Sequence, residues 1–405
     1  MRGRRFYFWL TAIAGALLLA GLAAVRVFAP ADVLDRANVA FPEPVTAEPQ
    51  VYGELMNAPL LIGTRVRVYG AVNRVWADGP VDAKSPNSAL WAFRRWPAQL
   101  VAVVADDATV VSKWSDGQLV ALDPMKGTIV WRAEGGAGAT AYHGRRTGAG
   151  TLYQPADLFL ATRTDGPPVV VSLASTGQLT ALDAGTGRVL WQRSIGEAVR
   201  CGTVFTSSGS VGVLATCAGV STVDLYDAGT GAPRVKPDGL RPVGCAVGYS
   251  GCTGLAGPDG GSLLEPDGAV TAAPGLTTGS VLADRVAVRT DGGRLRGYDV
   301  VTGAPLWTWP VGGDRVDGVR IVAVEPGMVH ALTPDRELVN LYADNGTERS
   351  RFPAHIVGED KPFTPGFGYA AHGFVVIERT EPGATPDQKD SQYYYPFPTL
   401  LLTGS

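Results

Sequence analysis

The chain has 405 residues, 45% of them apolar and 18% charged, with 52 Gly and 29 Pro, a turn-rich composition that can bury a large core and argues against a helical bundle or a disordered tail. A formal charge of −3 supplies no concentrated basic face, so nucleic acid is not expected as a partner. At roughly 150 residues per domain the length allows two or three domains, or one large all-β architecture.

Arg2, Arg4 and Arg5 precede an uncharged run over residues 6–25. About 20 residues rising 1.5 Å each span the roughly 30 Å hydrocarbon core, so residues 1–28 are expected to form a cytoplasmic stub and one N-terminal transmembrane helix. The arginines before the run, and Asp32, Asp35, Glu43 and Glu48 after it, leave the N-terminus cytoplasmic and the remainder outside the plasma membrane. A cleaved signal peptide is the competing reading. It suits the run less well, because the run is long and Pro30 follows Ala29, and because Phe6, Tyr7, Phe8 and Trp9 match an interfacial belt. The first cysteine is Cys201, so no N-terminal lipid is expected. Residues 29–65, rich in Pro, Ala and acidic side chains without a steady period, read as an extracytoplasmic linker.

Over residues 66–405 short apolar runs alternate with Gly/Asp/Pro clusters, the pattern of an all-β domain. Residues 117–131 read GQLVALDPMKGTIVW, residues 177–191 GQLTALDAGTGRVLW and residues 293–307 GRLRGYDVVTGAPLW. Weaker copies are VDLYDAGTGAPR at 223–234, ELVNLYADNGTER at 337–349 and SLLEPDGAV at 262–270. The repeating residues are Asp123, Gly127 and Trp131; Asp183, Thr186, Gly187 and Trp191; Asp227 and Gly231; and Asp299, Thr302, Gly303 and Trp307. In each copy a strand runs into a turn whose Asp bonds backbone amides and whose Gly takes positive φ, and the next strand carries the tryptophan. A unit of four short strands cannot cover both faces of its own sheet, so like units stack and the indoles fill the seams. That predicts a β-propeller of four-stranded blades at 97–133, 157–195, 199–236, 243–276, 280–311, 317–352 and 363–403. Seven blades fit best, with six or eight admissible, and residues 89–96 are expected to close the ring as the outer strand of the last blade. Trp76, Trp91, Trp96 and Trp114 are expected in seams or core rather than as exposed anchors. Residues 135–154, with His143, Arg145 and Arg146, read as a surface loop between two blades.

The pattern AxDxxTGxxxW, complete at Ala181, Asp183, Thr186, Gly187 and Trp191, resembles the tryptophan-docking repeat of the pyrroloquinoline quinone (PQQ) type propellers. The resemblance extends from about residue 88 to the C-terminus. It implies a quinoprotein-like fold that serves both quinone dehydrogenases and non-enzymatic scaffolds of the BamB type, so fold alone does not decide function.

Cys201 and Cys217 flank a turn signal at 207–210, and Cys245 and Cys252 flank another at 248–251. In an exported chain this spacing favours two local disulfides across hairpins. A quinone enzyme of this resemblance would carry an adjacent Cys-Cys pair and a calcium site, and the cysteines here are not adjacent. His143, His330, His355 and His372 are scattered without ligand spacing. No catalytic, cofactor or metal site is therefore expected. The sequence is read as a membrane-anchored extracytoplasmic propeller that acts as a non-catalytic binding or scaffold module for another cell-envelope component, a protein or a glycan. The alternatives are a ligand-binding sensor and, less well supported, a PQQ-dependent dehydrogenase.

Overall fold

The computed structural model describes residues 31–138, 155–310, 316–383 and 399–402, apart from positions 39, 47, 56–57, 85–86, 164, 197, 357 and 360–361, together with positions 13, 15–17 and 21. The apolar run expected to cross the membrane lies almost wholly outside these residues, as do residues 139–154 of the expected surface loop. Among the described residues no helix is long and apolar enough to span a bilayer.

Two strands, β1 (Ala31–Asp35) and β2 (Val51–Glu54), precede a series of antiparallel sheets that follow one another along the chain. The first holds β3 (Leu60–Ile62), β4 (Val66–Ala71), β5 (Arg74–Asp78) and β6 (Trp91–Trp96), with β1 added to the outer edge of β6. The second holds β7 (Leu100–Ala105), β8 (Val110–Trp114), β9 (Gln118–Leu122) and β10 (Ile129–Glu134). The third holds β11 (Leu158–Ala161), β12 (Val169–Leu173), β13 (Gln178–Asp183) and β14 (Val189–Ser194). The short helix α1 (Ala198–Cys201) leads into the fourth, which has three strands, β15 (Gly202–Ser207), β16 (Ser210–Cys217) and β17 (Val220–Asp227). The fifth comprises β18 (Arg241–Val243), β19 (Gly254–Ala256), β20 (Gly261–Leu264) and β21 (Val270–Ala273), and the sixth β22 (Val281–Ala283), β23 (Val286–Asp291), β24 (Arg294–Asp299) and β25 (Pro305–Trp309). The seventh comprises β26 (Arg320–Glu325), β27 (Met328–Leu332), β28 (Glu337–Tyr342) and β29 (Glu348–Pro353). The eighth joins β30 (Thr364–Ala371), β31 (Phe374–Thr380) and β32 (Thr399–Leu402) to β2.

Burial follows position within each sheet. Every residue of β8, β12, β27 and β31 is buried, because a second strand is covered by a neighbouring sheet on both faces, and the cover extends to polar side chains such as Lys113, His330 and Arg379. Fourth strands lie on the rim. In β10 and β14 the one buried residue is the tryptophan, Trp131 or Trp191.

Two expectations are corrected. Eight sheets are present among the described residues where seven units fitted best. The additional sheet arises because residues 91–96 do not close the last unit. They pair with β5, Ala77 opposite Trp91, since the hairpin of β4 and β5 supplies a nearer partner. Nor is the segment 29–65 an extended tether throughout, because it contributes β1, β2 and β3. The strand that closes the circle is β2, in register with β32 and tied to β31 by Arg379, whose guanidinium is 2.7 Å from Glu54 and 2.5 Å from Glu359. Tyr369 of β30 completes the closure against the first sheet. Its hydroxyl donates to Pro59 O at 2.8 Å and accepts from Leu61 N–H at 3.0 Å.

Candidate functional site

The repeat residues form the seams. Asp183 Oδ1 accepts from the backbone N–H and the hydroxyl of Thr186 at 2.9 and 2.8 Å, and Gly187 N–H bonds Asp183 O at 2.8 Å with φ +71°. The turn so fixed receives the indole of the preceding sheet: Trp131 Nε1 donates to Ala184 O at 2.7 Å. A Cβ on Gly187 would lie 2.7 Å from that ring. The same lock recurs for Trp191 with Ala228 O and Gly231, at 2.7 Å, and for Trp307 with Ala343 O and Gly346, at 2.8 Å. The Asp227 and Asp299 carboxylates hold their own turns through Thr230 and Thr302. Burial raises the Asp227 carboxyl, but the Thr230 and Arg234 hydrogen bonds outweigh it, so the group ends below the usual carboxylate range. Asp299 is lowered by its bonds from Thr302. Asp123, without a following threonine, accepts from Met125 and Lys126 N–H at 2.9 and 2.7 Å.

Two seam residues escape the sequence pattern. Trp91 donates to Pro124 O at 2.7 Å and lies over Gly127; it is a docking residue of the first sheet, although a long insertion between β5 and β6 hides its repeat. In the fourth sheet Val235 stands at the tryptophan spacing yet is 75% exposed, and Arg234 takes the seam instead, bonding Asp267 O at 3.2 Å against Gly268. Trp114 is buried in the core, Trp76 stacks on Tyr69, and Trp96 is exposed. Between the second and third sheets Lys113 is buried, its Nζ donating to Leu173 O and Asp157 O; burial pushes its ammonium down to about 8, partly offset by Asp157.

The innermost strands surround a central channel, and one loop enters it. Cys201, the last residue of α1, is joined to Cys217 at the end of β16, and Cys245 to Cys252 within residues 244–253, the connection between β18 and β19. This second loop crosses toward the other sheets. Ser250 Oγ accepts from Leu160 N–H of the third sheet at 3.1 Å, Tyr249 O from Thr206 N–H of the fourth at 2.9 Å, and Cys252 N–H bonds Thr206 O at 2.7 Å. Val247 packs against the apolar clusters of the first, second and eighth sheets. What remains of the channel is divided into cavities of about 260 Å³ beside Tyr249 and Phe367, about 410 Å³ beside Glu325 and His372, and about 160 Å³ beside Val103 and Leu160.

Polar groups at the channel mouth are occupied with structure. Asp107 accepts from Gly63 N–H at 2.9 Å, Asp284 from Gly327 N–H at 2.6 Å and Glu325 from Gly373 N–H at 3.3 Å, so each carboxylate clamps the first turn of another sheet. The histidines are dispersed. His330 is buried with Nδ1 2.8 Å from Asn340 Oδ1, His355 is on the surface, His372 is 3.5 Å from Asp107, and His143 is outside the described residues. No group of three or more metal-ligating side chains occurs among the described residues.

The family model described as "Outer membrane protein assembly factor BamB" matches residues 48–193 and 81–235. Among solved structures, BamB from Moraxella catarrhalis is 14% identical, with 89% of this chain and 99% of that chain covered at a TM-score of 0.45. The computationally designed protein Ika8 is 15% identical over 89% of this chain and 99% of its own, at a TM-score of 0.43. No curated protein matches the chain. The docking turns and the matched family model together define a β-propeller. Its repeats are of the PQQ type, similar to those of BamB.

Proposed function

We propose that the chain is a membrane-tethered, extracytoplasmic propeller of eight blades that binds another cell-envelope component, a protein or a glycan, without turning it over. The carrying observation is the stoppered channel. The loop 244–253 divides the space at the centre of the ring into small cavities, so recognition of another macromolecule falls to the loops at the ends of the sheets. The description of the matched family, an outer-membrane assembly factor, agrees with a scaffold role. The apolar run over residues 6–25 with three arginines before it supplies the tether.

The test is site-specific photocrosslinking in intact membranes, with the crosslinker placed in turn on loops of either face of the full chain. Discrete adducts from one face and none from the other are expected. The same preparation, given PQQ, calcium and alcohols, should reduce no dye. Quinone-dependent dye reduction, or no adduct from either face, overturns the proposal.

A further inference from the structure

We infer that the cavity of about 160 Å³ beside the disulfide loop is a binding site for one apolar group the size of a single aromatic ring. Its floor is Leu60 of β3, Val103 and Val104 of β7 and Leu160 of β11, each at most 9% exposed. The disulfide loop forms its wall through Val247 and Ser250, and Thr162 and Ala246 stand exposed at its rim. The polar side chains in the lining are few, Asp106, Thr162 and Ser250, and each already holds a bond within the protein. Ser250 Oγ accepts from Leu160 N–H at 3.1 Å, and Asp106 accepts from Ala108 and Thr109 N–H at 2.9 and 2.7 Å. Against the floor of Leu60, Val103, Val104 and Leu160 an incoming polar group would lose its water and find no side-chain partner. An apolar one loses nothing, and apolar cavities of about 150 Å³ stay dry and take up benzene.

Size and rigidity narrow the class further. Drug-sized ligands and cofactors occupy pockets of roughly 300–1,000 Å³, so this cavity admits one ring and not a fused ring system. Three walls are strands of separate sheets, and the fourth is a loop closed by Cys245 and Cys252, so the space is preformed and binding requires little ordering. The group arrives as a free small aromatic or as an aromatic side chain presented by another protein.

The experiment is fluorine NMR of fluorobenzene titrated with the full chain in detergent, with thermal unfolding in toluene alongside. Saturable broadening and a rise in Tm of about 2 °C or more near saturation are expected, both lost when the cavity is filled by Ala105→Phe or by Ala246→Phe. Ala246 lies on the exposed rim, so its variant still reports if the Ala105 variant fails to fold. No saturable binding, or equal binding in the folded variants, overturns the inference and leaves the scaffold reading untouched. Displacement of fluorobenzene by capped phenylalanine amide assigns the site to a protein side chain; retention against it assigns the site to a free ligand.

Discussion

The tryptophan lock depends on a missing side chain as much as on the indole. Gly187 and Gly303 have nearly the same backbone, φ +71° and +70°, but Trp131 covers the first, whereas the nearest atom to a Cβ on the second is 3.8 Å away. The fifth sheet carries no tryptophan to reach Gly303. Gly303→Ala should therefore cost the left-handed penalty of about 1–2 kcal/mol. Gly187→Ala should cost that and a further 1–3 kcal/mol, roughly, for overpacking the seam. Denaturant midpoints of the two variants measure the difference, and equal midpoints would mean that the indole contact carries no weight. The same comparison shows why most of the seam was readable in advance. An Asp, a Gly and a Trp at fixed offsets are what a side-chain-capped turn and a docked ring require, so Asp183, Gly187 and Trp191 are visible as letters. Trp91 was expected in a seam or the core, but its repeat stayed unread because 13 residues separate it from Asp78 where eight separate Trp191 from Asp183. Arg234 was hidden because the guanidinium reaches the seam from one position before the tryptophan offset.

At the scale of elements, the sheets with full repeats were legible and the closing strands were not. Strand β2 has four residues including a glycine, and β3 has three; segments this short take their conformation from a partner rather than from their own alternation. Their Pro- and Ala-rich surroundings resemble a tether for that reason. The ionic anchor of β2 is Arg379, 2% exposed and paired with Glu54 and Glu359, which are 29% and 18% exposed. Removing one member of a buried ionic group leaves the others without compensation, at about 3–5 kcal/mol when fully buried, and the partial exposure of the two carboxylates reduces this to roughly 2–4 kcal/mol. Arg379→Met should release β2 before the other sheets unfold. Limited proteolysis would then cut between β1 and β2 at denaturant concentrations that leave the wild-type chain intact. A variant that unfolds in one step, with no early cut, would show that β2 is held by the sheet alone.

For the molecule as a whole, a ring of sheets joined only to nearest neighbours would transmit little from one side to the other. The loop 244–253 changes this, since it leaves the fifth sheet, hydrogen-bonds the third and fourth, and packs Val247 against clusters that include the first and eighth. Its reach depends on staying compact, and the Cys245–Cys252 bond holds it so. A cross-link closing so short a loop is worth about 2–3 kcal/mol on the chain-entropy account. The double variant Cys245→Ser/Cys252→Ser should therefore keep the propeller but loosen its centre. Hydrogen exchange gives the local readout, because Leu160 N–H is bonded to Ser250 Oγ and Thr206 N–H to Tyr249 O. In the variant both amides should exchange at least about tenfold faster, while the amides of β12, within the third sheet, remain at the wild-type rate. Unchanged protection at Leu160 and Thr206 would mean that the loop keeps its place by packing alone. A uniform increase across β12 as well would mean that the disulfide supports the global fold rather than the stopper.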